Sequence, residues 1–196
     1  MRCSCEGIMY PYNAKSTLKD LNFRNQNNLF TEIPHSSWDI SFPLLLEAFA
    51  QGPSSIKGNI VILCPLHKGK ICFDDSYKVY IPENGLCKGS EWDIEINTPS
   101  EISNDSFLRD YIEISNDVCS EEHGPEILFP LISRYYPNNK VTIFLAPQSK
   151  NIKEELVLKT IVEKLVLLFP QGRFFISNNI ETNCASLWLK AIKKGN

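Results

Sequence analysis

The sequence predicts an α/β protein with three layers, in which helices cover both faces of a mostly parallel central sheet. Short runs of apolar, largely β-branched residues alternate along the chain with longer amphipathic segments, a pattern typical of strands joined by helices. The run at 60–64 is apolar at every position, as expected for a strand buried on both faces. The chain has 196 residues, 43% of them hydrophobic, which favours one domain spanning 1–196.

Four apolar runs are predicted as strands of this sheet, and three of them end at a proline. They cover residues 29–33, 58–64, 141–146 and 173–177, and two asparagines follow the last one. Proline lacks the N–H that a strand ladder needs, so it marks the end of a central strand. Alternating apolar residues at 86–96 predict an additional extended segment of antiparallel type.

Helices are predicted where apolar residues recur at a spacing of three or four. These segments are 39–51, 106–114, 125–136, 152–169 and 185–192. Pro43 is expected in the first turn of the helix at 39–51, where a missing N–H costs nothing. Residues 117–123 are rich in acidic side chains and are predicted to form a loop.

Two of the three histidines directly follow predicted strands. His35 comes after the strand at 29–33, and His67 comes after the strand at 58–64. A helix separates the two strands, so they should form a parallel β-α-β pair whose carboxyl ends share one edge of the sheet. Ligand-binding and catalytic sites of open α/β sheets lie at that edge. Because two neutral imidazoles can bind a transition metal, His35 and His67 are predicted metal ligands.

Two further residues could complete a site at this edge. Cys184 follows the last strand, and its thiolate would give an open three-ligand site; it could equally be a small residue that begins a helix. His123 follows Glu121 and Glu122, a group suited to acid–base catalysis, although a solvated acidic loop would look the same.

Composition excludes several classes of function. The net charge is −3 and the basic residues are scattered, so no nucleic-acid surface is expected. No apolar run reaches the roughly 18 residues of a membrane span, and the N-terminus has no apolar signal core, which favours a cytoplasmic protein. Phosphate-loop, nucleophile-elbow and dinucleotide-glycine motifs are absent from the sequence. The seven cysteines include a C-x-C pair, Cys3 and Cys5, predicted as an exposed end, with metal binding the alternative.

Five short blocks, in the same order, resemble those of the Memo family, also called AmmeMemoRadiSam system protein B. The blocks are GIMYP at 7–11, IPHSSW at 33–38, LCPLH at 63–67, EEHGPE at 121–126 and FFISNN at 174–179. The chain looks like a shortened, divergent relative of that family. The resemblance implies a fold related to the catalytic subunit of class III extradiol ring-cleaving dioxygenases.

The resemblance also implies a function. Family members bind an iron or copper ion through two histidines and a cysteine, which match His35, His67 and Cys184, and His123 would line the cleft as an acid–base group. A redox reaction at that metal, on an unknown substrate, is the first hypothesis. Asn179 and Thr182 stand where the family has an acid and a histidine. The second hypothesis is therefore a non-catalytic pseudo-enzyme whose cleft binds a peptide or partner protein.

Overall fold

The structure is a computed structural model that describes residues 5–26, 29–67 and 77–178. Its elements, in chain order, are α1 (Ala14–Thr17), β1 (Phe30–Pro34), α2 (Trp38–Ala50), β2 (Ile60–Pro65), β3 (Val79–Ile81), β4 (Gly85–Lys88), β5 (Asp93–Ile96), α3 (Ser100–Asn104), α4 (Ser106–Tyr111), β6 (Ile112–Ile114), α5 (Asn116–Ser120), a 3-10 turn (Glu126–Leu128), α6 (Phe129–Tyr135), β7 (Val141–Ala146), α7 (Ile152–Leu168) and β8 (Arg173–Asn178). The predicted helix at 185–192 lies outside the described residues.

One mostly parallel sheet contains all eight described strands. Its main order is β1-β8-β2-β7-β3-β6, and the β4–β5 hairpin joins at the start of β7. β1, β8, β2 and β7 run parallel to one another, and β3 is antiparallel to β7. The predicted α/β class and the shared sheet of the four apolar strands are confirmed.

The pairing predicted for the first two of these strands is wrong in one respect. β1 and β2 are not neighbours, because β8 lies between them and pairs with both. Ser177 of β8 is in register with Ile33, and the preceding Ile176 is in register with Leu63. Since β1 and β2 are both parallel to β8, they still end at the same edge of the sheet.

The sheet separates two apolar cores, which accounts for the three layers. Successive side chains of β2 point to opposite faces, so Ile60, Ile62 and Cys64 join one core while Val61 and Leu63 join the other. The first core also contains residues of α2 and α6, and the second contains one face of α7. Every residue of β2 is buried, as a strand covered on both faces requires.

Several predicted boundaries differ from the observed ones because local turns and caps decide them. Helix α2 begins at Trp38, so Pro43 lies inside the helix and not in its first turn. The predicted loop at 117–123 overlaps α5, which is capped by the Ser115 side chain accepting from the Val118 N–H. The predicted helix at 106–114 ends at Tyr111 and continues as β6, and that at 125–136 begins with the 3-10 turn.

The N-terminal segment is tied to the domain, so the predicted exposed end at Cys5 is also wrong. Cys5 is buried, and its N–H donates to Oε1 of Glu126 over 2.9 Å. The Tyr10 hydroxyl donates to the same oxygen, also over 2.9 Å.

Among the described residues, no helix combines the length and the apolar character that crossing a membrane requires.

A fully buried arginine begins β8, at the edge of the sheet opposite the histidines. The Arg173 guanidinium donates to the Tyr136 hydroxyl, over 2.5 Å, and to the carbonyl oxygen of Ala48 in α2, over 2.9 Å. It also lies over the rings of Tyr136 and Phe175, at 5.5 and 4.8 Å from their centroids. Burial lowers the pKa of Arg173 and raises the pKa of Tyr136 to about 12.

Candidate metal centre

The three histidines meet at the carboxyl edge of the sheet. His35 follows β1, His67 lies two residues beyond β2, and His123 lies between α5 and the 3-10 turn. The ring centroids are 4.7 Å apart for His35 and His67, 5.0 Å for His35 and His123, and 5.4 Å for His67 and His123. One ring nitrogen from each histidine lies within 4.8 Å of the other two. The structure therefore groups three imidazoles that lie up to 88 residues apart in the sequence.

His35 is held by a buried hydroxyl of the adjacent strand. Its Nδ1 lies 2.5 Å from Oγ of Ser177, which is fully buried in β8. This contact exists because β8 is the direct neighbour of β1, with Ser177 in register with Ile33. The other ring nitrogen, Nε2, is buried and has no hydrogen-bond partner in the part of the chain that the structure describes. Burying a nitrogen without a hydrogen-bond partner costs free energy, so we expect this atom to bind a ligand.

His67 is held by a buried carboxylate. Glu122 is 1% exposed; its Oε1 accepts from the His67 N–H over 2.6 Å, and its Oε2 lies 3.1 Å from Nδ1 of the same residue. The His67 side chain is 23% exposed, although the residue as a whole, main chain included, is open to solvent. A carboxylate on one ring nitrogen of a histidine is the usual outer partner of a metal ligand.

Gly124 leaves the space that the His35 ring occupies. A Cβ at position 124 would lie 2.4 Å from Cε1 and 3.0 Å from Nδ1 of His35, and 3.2 Å from Sγ of Cys64. No real side chain tolerates the first of these separations. The His35 ring can occupy this position only because the residue after His123 is a glycine.

The replacement Gly124→Ala is expected to weaken metal binding more than it weakens the fold. The added methyl group can be accommodated only if the His35 ring leaves the position in which its Nδ1 contacts Ser177. We expect an affinity loss of about 10–100-fold, comparable to losing an outer-shell partner. The measurement is a zinc titration of both proteins beside urea unfolding in a chelator. Unchanged affinity would show that the His35 position does not matter for binding.

Burial keeps His35 neutral. Its pKa is lowered from 6.5 to about 4, first by loss of hydration and then by the nearby His67 and His123, while the charge of Glu122 acts in the opposite direction. A neutral imidazole at physiological pH is the form that binds a metal ion.

The metal-free protein should lose stability in acid because of this lowered pKa. Unfolded His35 takes up a proton near pH 6.5, whereas the folded residue does so only near pH 4. Between these values the unfolded state binds more protons, so the free energy of unfolding falls as the pH decreases, by about 2 kcal/mol at pH 5 relative to pH 7. Urea unfolding in a chelator at both pH values should show a smaller loss for His35→Gln. Identical losses in the two proteins would contradict this pKa.

Two buried thiols lie near the site without belonging to the imidazole group. Cys64 ends the apolar run of β2, and Ser177 partly offsets the rise in the pKa of its thiol. Burial, and secondarily the charge of Glu122, raises the pKa of the Cys64 thiol, and the same two causes raise that of Cys119 to about 12. Both cysteines are therefore thiols at neutral pH, which are poor metal ligands.

The three imidazoles fit a transition-metal ion better than a hard cation. Imidazole suits iron, copper, zinc and nickel, whereas calcium and magnesium take oxygen ligands. A tetrahedral zinc ion with metal–nitrogen distances near 2.0–2.1 Å needs its nitrogens roughly 3.4 Å apart. The three ring nitrogens lie within 4.8 Å of one another, so the rings must move modestly inward to bind the ion. The buried Nε2 of His35 would gain the partner that it lacks.

Sequence reasoning identified part of this site. It placed His35 and His67 at one edge and named His123, but Cys184 lies outside the described residues, so its role stays a prediction. It treated Glu122 only as an acid–base group and missed the contribution of Gly124 and Ser177. The sequence did contain one signal for Ser177, because this polar residue directly follows the apolar run at 174–176.

Comparisons with known proteins do not assign the chain to a family. A scan against models of protein families finds no match, and a search of curated proteins finds none either. The resemblance to the Memo family therefore remains a prediction from the five short blocks.

Proposed function

We propose that the protein is a metal-binding protein that holds one transition-metal ion through His35, His67 and His123 at the carboxyl edge of its sheet. The observation that carries this proposal is the buried Nε2 of His35, which has no partner among the described residues although two other imidazoles lie beside it. Three protein ligands leave coordination positions for water or a substrate. Cys184 remains a predicted additional ligand.

The bound ion would decide the chemistry. Iron or copper would supply redox chemistry, in keeping with the Memo-like blocks, whereas zinc would supply a Lewis acid. The chain contributes neutral imidazoles, a buried carboxylate behind one of them and a buried hydroxyl behind another. We propose a metal-dependent redox reaction with iron or copper as the function, on a substrate that the described residues do not identify.

The position of His123 favours a ligand role over the acid–base role predicted from sequence. Its ring nitrogen belongs to the same group within 4.8 Å as those of His35 and His67. An acid–base residue would act on a substrate bound to the metal and would not be needed to retain the ion. The variant His123→Ala separates the two roles, since only a ligand role predicts loss of the ion.

The test of the proposal is calorimetric titration of the purified, chelator-treated protein with zinc, copper and iron under reducing conditions. Reduction keeps the thiols, including Cys184, from oxidation. We expect one ion per chain for at least one of these metals and no binding of magnesium. Failure of all three transition metals to bind would contradict the metal site, and binding of zinc without iron or copper would contradict the proposed redox reaction.

Binding of a peptide or partner protein is the second candidate function. Ile40 and Leu44 lie one turn apart on α2 and are 75% and 61% exposed, and this helix begins three residues after His35. Exposed apolar side chains at this spacing suit contact with a partner. This candidate becomes the better one if the titration shows no metal binding.

A further inference from the structure

We infer that Glu122 and Ser177 are positioning residues that set which ring nitrogen of His67 and His35 carries the proton, so that Nε2 of each ring carries the lone pair needed by a metal ion. This inference rests on the proposed metal site and deepens it. It assigns to two buried residues, one in the acidic segment and one in β8, a role in selecting the binding form of each imidazole.

The geometry around His67 fixes its tautomer. A carboxylate has only acceptor oxygens, and Glu122 already accepts the His67 N–H on Oε1 over 2.6 Å. Its Oε2, 3.1 Å from the ring, can accept a hydrogen bond only if Nδ1 carries the proton. In a neutral imidazole the lone pair then resides on Nε2. The two contacts also fix the ring and the main chain of His67 to the same side chain.

The geometry around His35 gives the same result by a different route. Oγ of Ser177 lies 2.5 Å from Nδ1 of His35, and its hydroxyl can either donate a proton to Nδ1 or accept one from it. If the hydroxyl donated to Nδ1, the proton of the neutral ring would lie on the buried Nε2 as an N–H without an acceptor among the described residues. A buried N–H without an acceptor is rarer in proteins than a buried acceptor without a donor, so we infer that Nδ1 donates to Oγ. The lone pair of His35 is therefore on Nε2, the buried nitrogen without a partner among the described residues.

A purely structural role for these two residues makes a different prediction. A structural hydrogen bond would lower the free energy of unfolding when removed but would not select between the two neutral forms of an imidazole. The chain offers a matched comparison, because Glu126 is another 1% exposed carboxylate four residues farther on. Its Oε1 accepts from the Cys5 N–H and the Tyr10 hydroxyl, and its main-chain N–H, which the replacement Glu126→Gln keeps, donates to the carbonyl oxygen of His123.

The experiment is nitrogen-15 NMR of the histidine rings in chelator-treated full-length protein, combined with zinc titration. The chain has only three histidines, so single variants assign the signals. We expect His35 and His67 of the wild type to be protonated at Nδ1. In Glu122→Gln the His67 signal should shift toward the other tautomer and zinc affinity should fall about 10–100-fold. Glu126→Gln should leave the His67 tautomer and zinc affinity unchanged.

Ser177→Ala extends the same test to His35. Removing the hydroxyl should shift the His35 tautomer and leave that of His67 as in the wild type. Protonation of His67 at Nε2 in the wild type, or equal effects of Glu122→Gln and Glu126→Gln on affinity, would overturn the inference for Glu122. An unchanged His35 tautomer in Ser177→Ala would overturn it for Ser177.

The NMR measurement needs no metal, which keeps the two claims separable. If the wild-type tautomers are as expected but no transition metal binds, the proposed function fails while the tautomer assignment stands. If zinc binds but the tautomers are reversed, the positioning inference fails while the metal site stands.

Discussion

Replacing His67 with alanine is expected to abolish tight metal binding. The variant removes one of three imidazoles and leaves the Glu122 carboxylate without its ring partner. Loss of an outer-shell partner alone costs about 10–100-fold in affinity, so loss of a ligand should cost more than about 100-fold. The measurement is zinc titration against a competing chelator under reducing conditions. His35→Ala should behave in the same way.

The control for this prediction is Ile40→Ala in α2. Ile40 is 75% exposed in the helix that begins three residues after His35, and it contributes no atom to the imidazole group. It should bind zinc as the wild type does. Equal stoichiometry and affinity in wild type and His67→Ala would contradict the metal site and would make partner binding the better account.

Replacing Gly52 with alanine is expected to destabilise the fold by about 3 kcal/mol or more. A Cβ at this position would lie 1.5 Å from Nη1 and 2.0 Å from Cζ of Arg173. The guanidinium could move only by giving up its contacts with Tyr136 and Ala48, which are the two shortest hydrogen bonds of this buried charge. Urea unfolding of the two proteins measures the difference.

Gly85→Ala is the matched control, because no atom lies within 4 Å of a Cβ built at that position. Both replacements restrict the unfolded chain to the same extent, so the difference between them reports the folded state. We expect Gly85→Ala to change the free energy of unfolding by no more than about 0.5 kcal/mol. Similar stabilities for the two variants would show that Arg173 can be displaced at little cost.

The parallel sheet and two of its histidines could be predicted because they depend on local signals. A strand stopped by proline and followed by histidine occurs at 29–35 and again at 58–67, and the second strand is buried on both faces. Periodicity identifies such strands, and parallel strands deliver the residues that follow them to one edge. His35 and His67 were placed together by this reasoning alone.

The remaining features depend on contacts between distant parts of the chain. Nothing in the run at 173–177 indicates that β8 inserts between β1 and β2, and this insertion is what brings Ser177 to His35. The contact between Glu122 and His67 spans 55 residues, and that between Arg173 and Ala48 spans 125. Such pairings follow from strand order and packing, which periodicity does not encode.

The most direct test of the metal site is X-ray absorption spectroscopy at the zinc edge on protein loaded with one equivalent of zinc. We predict nitrogen neighbours near 2.0–2.1 Å with the outer-shell scattering of three imidazole rings. A sulfur neighbour near 2.3 Å that is lost in Cys184→Ala would add Cys184 to the ligands without changing the histidine count. A first shell of oxygen atoms with no imidazole scattering would contradict a site built from His35, His67 and His123.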